Sequence, residues 1–158
     1  MPTNSDRFGL LDAIAYNIFM IVLDTNVLIA ALRSRMGRSR VLLRQVLLGE
    51  RVAGVSVTLF LEYEAVLTRP ENLAAFGLSQ QEVVGFLDGL AGRLSPIDVS
   101  FLWRPQLRDP CNEMVLEAAA NGSASHLITW NTRDFLPAAP RFGIQVETPT
   151  AFLRTSKK

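Results

Sequence analysis

The sequence predicts an α/β domain, a three-layer α/β/α sandwich around a mainly parallel sheet, and three observations carry that expectation. Short runs rich in β-branched residues, such as Ile21-Val22-Leu23 and His126-Leu127-Ile128-Thr129, alternate with longer segments whose apolar residues recur at helical spacing. Polar capping residues and acids cluster where those runs end. With 49% apolar and 20% charged residues, the 158-residue chain has the composition of one packed domain rather than a disordered segment.

Met20 directly precedes the first strand, so residues 1–19 read as an N-terminal extension, 20–154 as the domain and 155–158 as a tail. Within the extension, Leu10 to Tyr16 has the spacing of a turn or two of helix but carries no recognisable chemistry. Ile21-Val22-Leu23 reads as a buried strand that delivers Asp24 to its carboxyl end, where open α/β sheets bind ligands. Thr25 or Asn26 is expected to cap a helix from Val27 to about Leu32, broken at Met36-Gly37.

A second helix is expected over 41–48, ended by Gly49, and a second strand over 52–56. Ser56 or Thr58 then caps a helix that stops before Pro70 and carries Glu62 and Glu64. Ser79-Gln80-Gln81-Glu82 is a capping-box pattern that opens a helix to Gly92. Leu94 to Val99 reads as a third strand, with Pro96 making it an edge or interrupting it. Asp109-Pro110 starts an Ala-rich helix on which Glu113 and Glu117 share a face. The His126–Thr129 strand leads to Trp130, Asn131 and Asp134, with a helical turn at 134–136. A last strand at 144–146 and a small helix opened by Thr148-Pro149 complete the chain.

Asp24, Glu62, Asp109, Glu113 and Asp134 each fall near a strand's carboxyl end or in the first turns of the following helix. If several converge, each carboxylate pair at ~5 Å costs roughly 3 kcal/mol at an effective dielectric of about 20. A divalent cation is the usual remedy, and oxygen ligands without His or Cys favour Mg²⁺ or Mn²⁺ over zinc. That set suits phosphodiester hydrolysis. A net charge of +1 says nothing global about nucleic acid, but Arg33, Arg35, Arg38, Arg40 and Arg44 crowd one segment, and the guanidinium fork suits phosphate. A lone Cys111 excludes an intramolecular disulfide and fits a reducing cytoplasm, and no apolar run reaches membrane-span length.

The segments Leu23–Leu28, Leu61–Leu67, Asp109–Glu113 and Thr129–Phe135, in this order and spacing, resemble PIN-domain ribonucleases. The nearest resemblance is to toxins of type II toxin–antitoxin pairs related to VapC, and it spans roughly Met20 to Leu153. It implies Mg²⁺- or Mn²⁺-dependent cleavage of single-stranded RNA by a homodimer that a cognate antitoxin neutralises. It also implies Asp24, Glu62, Glu113 and Asp134 as the catalytic metal-binding acids, with Thr25, Asn26 and Asn131 as polar support at the substrate. The group often carries acids where Cys111 and Asn112 stand, which leaves open whether Asp109 or Glu113 faces the metal. The Arg33–Arg44 segment would track the RNA backbone.

Other chemistries fit less well. A haloacid-dehalogenase-type phosphatase needs an acid where Asn26 stands, and a receiver domain needs a Lys before Lys157. No Gly-Lys-Ser/Thr loop is present. A Ser/His/Asp hydrolase would have to use His126 from inside a strand, and Cys111 has no evident base. The competing expectation is a catalytically silent PIN-like module that binds RNA or protein, motivated by Asn112.

Overall fold

The computed structural model describes residues 19–102 and 104–156. The expected turn of helix at Leu10–Tyr16 lies outside them.

Ile21–Leu23 forms β1, fully buried because three consecutive apolar residues need cover on both faces. It is followed by α1 (Thr25–Arg33), α2 (Arg38–Leu47), β2 (Gly54–Val55), α3 (Val57–Leu67), α4 (Pro70–Phe76) and α5 (Gln80–Ala91). After β3 (Ser95–Pro96) come α6 (Pro110–Asn121), β4 (His126–Ile128), α7 (Thr132–Phe135), a 3-10 turn (Ala139–Phe142), β5 (Gln145–Glu147) and α8 (Pro149–Thr155).

β1, β4 and β5 pair in parallel, with Leu23 opposite Ile128 and Ile128 opposite Glu147. β2 and β3 pair in parallel, and a bridge from Ile21 to Ala53 sets them against β1. The strands therefore stand in the order β3-β2-β1-β4-β5. The chain moves one way from β1 to β2 and the other way to β4, so the switch point lies between the carboxyl ends of β1 and β4. Helix α6 packs on β1, β2 and β4, while α2 packs on α1 and α8, giving the three-layer α/β/α sandwich that the sequence predicts.

Small residues let α6 come close. A Cβ on Gly122, just past its end, would lie 2.7 Å from the Ile97 side chain, and one on Gly54 of β2 would lie 2.6 Å from the same atom.

Several boundaries differ from expectation. α1 begins at Thr25, with Asp24 rather than Thr25 or Asn26 at the capping position. α2 begins at Arg38, three residues before the expected start, because the arginines there form its solvent face. The strands expected over 52–56 and 94–99 contract to two residues each. Helix α4 stands where Pro70 was read only as a stop; proline at the first helical position starts it instead. The capping box forms both of its bonds, between Ser79 and Glu82.

Candidate functional site

Asp24 follows the last residue of β1, and its N–H donates to the Ile128 carbonyl of β4 at 2.9 Å, which fixes it at the switch point. Its side chain makes no cap hydrogen bond. Instead Oδ2 accepts the Thr129 hydroxyl at 2.7 Å. That hydroxyl also accepts from Asn26 Nδ2 at 3.3 Å and from the Asn131 N–H at 3.0 Å. Asn26 Oδ1 in turn accepts the Trp130 N–H at 3.3 Å. Side chains of α1 and the loop after β4 are thus knitted together around one carboxylate.

Asp24 is buried, with 7% of its surface exposed. Burial pushes its carboxyl above the usual aspartate value; the Thr129 bond opposes that, and the charges of Asp134 and Asp109 reinforce it. Among the described residues the single ion pair is Arg104 with Glu117, so no cation there neutralises Asp24. Tyr63 of α3 donates its buried hydroxyl to the Leu23 carbonyl, and burial with the nearby Asp24 charge keeps that phenol protonated. This bond seats α3 beneath the site; Glu62, the preceding residue, is half-buried and its charge reaches the Cys111 thiol.

Asp109 caps α6 by accepting the Cys111 N–H at 2.9 Å. With Asn112, Asp134 and Arg133 it lines an open cavity of about 640 Å³. Asn112 Nδ2 reaches Asp134 Oδ2 at 3.4 Å. Glu113 is not part of that wall. It is buried, and its Oε1 accepts the N–H groups of Gln106 at 2.6 Å and Leu107 at 2.7 Å, so it holds the loop before α6. Of the two residues left open, Asp109 lines the cavity and Glu113 lies beneath it.

The donors suit a hard divalent cation in kind, being carboxylate and amide oxygens around a buried carboxylate that lacks a positive partner. They do not form a dense cage. Among the described residues no three His, Cys, Asp or Glu side chains gather closely enough to hold a metal ion, consistent with an amide at 112 and with Glu113 turned to the loop. The carboxylates whose charges reach Asp24 are Asp134 and Asp109.

Arg33, Arg35, Arg38 and Arg44 are exposed, but Arg40 is half-buried and donates to the Ala31 carbonyl at 3.2 Å, closing the end of α1. Arg40 therefore has a structural contact where a role toward RNA was expected. Thr25 is buried, Asn131 is exposed, and both border Asp24's network. The Cys111 thiol is raised by desolvation, then by Asp109 and Glu62, which makes it a poor nucleophile. His126 opens β4, at the opposite end of the strands from Asp24, with Nδ1 2.8 Å from Ser125 Oγ and its ring against Phe152. Trp130 carries no assigned role in the sequence; here its indole N–H donates to Ser39 of α2 at 2.9 Å while 40% of the residue stays exposed.

A parallel α/β domain with a buried acid at its switch point, and with Asp109 and Asp134 close enough to bear on its charge, has the layout of a ligand site at a sheet edge. The chain belongs to the PIN domain family, which matches residues 20–133, and PIN domains are in general nucleases. In fold it is similar to a chain in the structure of FitAB bound to an IR36 DNA fragment, with a TM-score of 0.56, 19% identity, and coverage of 82% of this chain and 95% of that one. No curated protein matches the sequence.

Proposed function

We propose that this PIN domain is a divalent-cation-dependent endonuclease that cuts single-stranded RNA and serves as the toxin of a toxin–antitoxin pair. The observation that carries the reading is Asp24, buried at the switch point, its carboxyl raised by that burial and further by the charges of Asp134 and Asp109, with no cation paired to it among the described residues. Asp24 and Asp134 would hold Mg²⁺ or Mn²⁺, with Asp109 and Glu62 adding negative field. The bound ion supplies Lewis acidity toward a phosphodiester.

The protein's own groups do the positioning. Thr129 orients Asp24, and Asn26 and Asn131 orient Thr129. Glu113 fixes the backbone at 106–107 along the cavity, and Arg133 offers a guanidinium to a phosphate there. Exposed Arg33, Arg35 and Arg38 extend a basic track from the end of α1 onto α2.

The fold likeness to the FitAB structure supports the toxin reading and with it a cognate antitoxin partner. No helix among the described residues is long and apolar enough to cross a membrane. The lone cysteine fits the cytoplasm.

Asn112 favours a second reading, a silent module that binds without cutting, since an amide contributes no charge to a cation. Labelled single-stranded RNA incubated with Mg²⁺, Mn²⁺ or EDTA separates the two. Cleavage with either metal and none with EDTA is the expected result. Binding without cleavage under every condition selects the silent module.

A further inference from the structure

We infer that Trp130 is a base-stacking platform, the element that makes this site take an unpaired strand; the inference rests on the nuclease reading above. Large aromatic residues at a polar surface usually bury their rings, yet 40% of Trp130 is exposed. It is nevertheless held at both ends. Its backbone N–H donates to Asn26 Oδ1 at 3.3 Å, and its indole N–H donates to Ser39 Oγ at 2.9 Å. Ser39 is itself 1% exposed, so this second anchor is built into the core of α2 rather than hung on a mobile side chain. A ring fixed through its single polar hydrogen keeps its orientation without being covered, and so meets a ligand with little further loss of rotamer freedom.

Its place gives the ring a use. Trp130 directly follows Thr129, whose hydroxyl bonds Asp24, and its indole reaches the residue between Arg38 and Arg40. The ring therefore bridges the carboxylate site and the start of the basic segment. A polynucleotide lying along that line puts phosphates toward the arginines and the acidic site and one base onto the indole. Only an unpaired base offers its face in this way, and stacking is tolerant of sequence because every base has one. The surface thus selects strandedness and leaves base identity largely unread.

Fluorescence tests this in EDTA, with Trp103→Phe leaving Trp130 as the sole tryptophan of the two in the chain. Short oligoadenylate RNA is expected to quench Trp130 emission, and an abasic strand of equal length is not. By anisotropy, Trp130→Ala should weaken oligoadenylate binding roughly tenfold, with little change for the abasic strand. Trp130→Phe should recover most of that loss. Ser39→Ala, checked for folding by circular dichroism, should keep the ring and give an intermediate affinity.

RNA binding and cleavage that proceed with unchanged emission, and with Trp130→Ala binding as tightly as the parent, would overturn the platform while leaving the nuclease reading intact. Absence of any oligonucleotide binding overturns it as well, and the cleavage assay then judges the nuclease separately.

Discussion

Asp24 and the glutamates of α6 are almost equally buried, at 7% for Asp24, 4% for Glu113 and 5% for Glu117, yet their surroundings are opposite. Glu117 meets the Arg104 guanidinium through both oxygens, with Nη2 at 3.1 Å from Oε2. Glu113 receives two backbone N–H groups on one oxygen. Asp24 receives the Thr129 hydroxyl and the Thr25 backbone N–H, and its nearest charged influences are two further carboxylates. Burial alone therefore does not distinguish them. A buried acid with matched donors holds a fold together, whereas one facing like charge is maintained at a cost in stability, and such places are where ligands act.

The largest effect that tests this contrast is Asp24→Asn. Cleavage should fall by at least ~100-fold, the scale expected when one charge-stabilising group is lost. The metal-free variant should melt about 3 °C higher, since roughly 1 kcal/mol of strain at the site is relieved. The pH dependence has a definite sign. Because the folded-state pKa of Asp24 is raised above 3.8, its destabilising contribution grows as pH rises from 3.8 through the raised value and is absent below 3.8. Melting curves of parent and variant should converge in acid and part on the way to neutrality. Retained Mg²⁺-dependent cleavage by Asp24→Asn would remove it from the site.

Glu113→Gln comes next and acts the other way. Removing the charge that accepts two N–H groups should lower stability by about 2 kcal/mol, or roughly 6 °C in Tm, with Mg²⁺ affinity by calorimetry nearly unchanged. If affinity collapses while Tm holds, Glu113 is a ligand and the contrast between the two kinds of acid fails. Asn112→Asp should have the smallest effect. It adds a carboxylate facing Asp134, and Mg²⁺ binding should tighten roughly tenfold as ligand charge rises. An unchanged affinity would place residue 112 outside the ion's reach.

Some of this was legible before the fold was known. Three apolar residues ahead of Asp24 and the Thr129 strand ahead of Asn131 announce two strand ends, and parallel pairing then brings those ends together. The Ser79 capping box and Asp109-Pro110 are local patterns whose hydrogen bonds close within four residues, so the sequence contains them whole. The partners of Glu113 were not legible, because the N–H groups of 106 and 107 belong to an irregular loop with no periodicity to read. The start of α2 was hidden because its solvent-facing arginines resemble a loop. Trp130 reaches Ser39 across 91 positions of sequence, a contact that only the fold brings about.

The network beside Asp24 also has a polarity. A backbone N–H can only donate, so Trp130 fixes which end of the Asn26 amide faces it, and the amide's NH₂ must then face Thr129. With the Asn131 N–H occupying its other lone pair, the Thr129 oxygen is filled, and its single hydrogen points to Asp24. Every donor in the chain runs one way and the chain ends at the carboxylate. Thr129 has no lone pair left to receive a proton, so Asp24 cannot relay one along this path. The wiring holds the Thr129 hydrogen on Oδ2 of Asp24 and closes that side of the carboxyl to proton transfer.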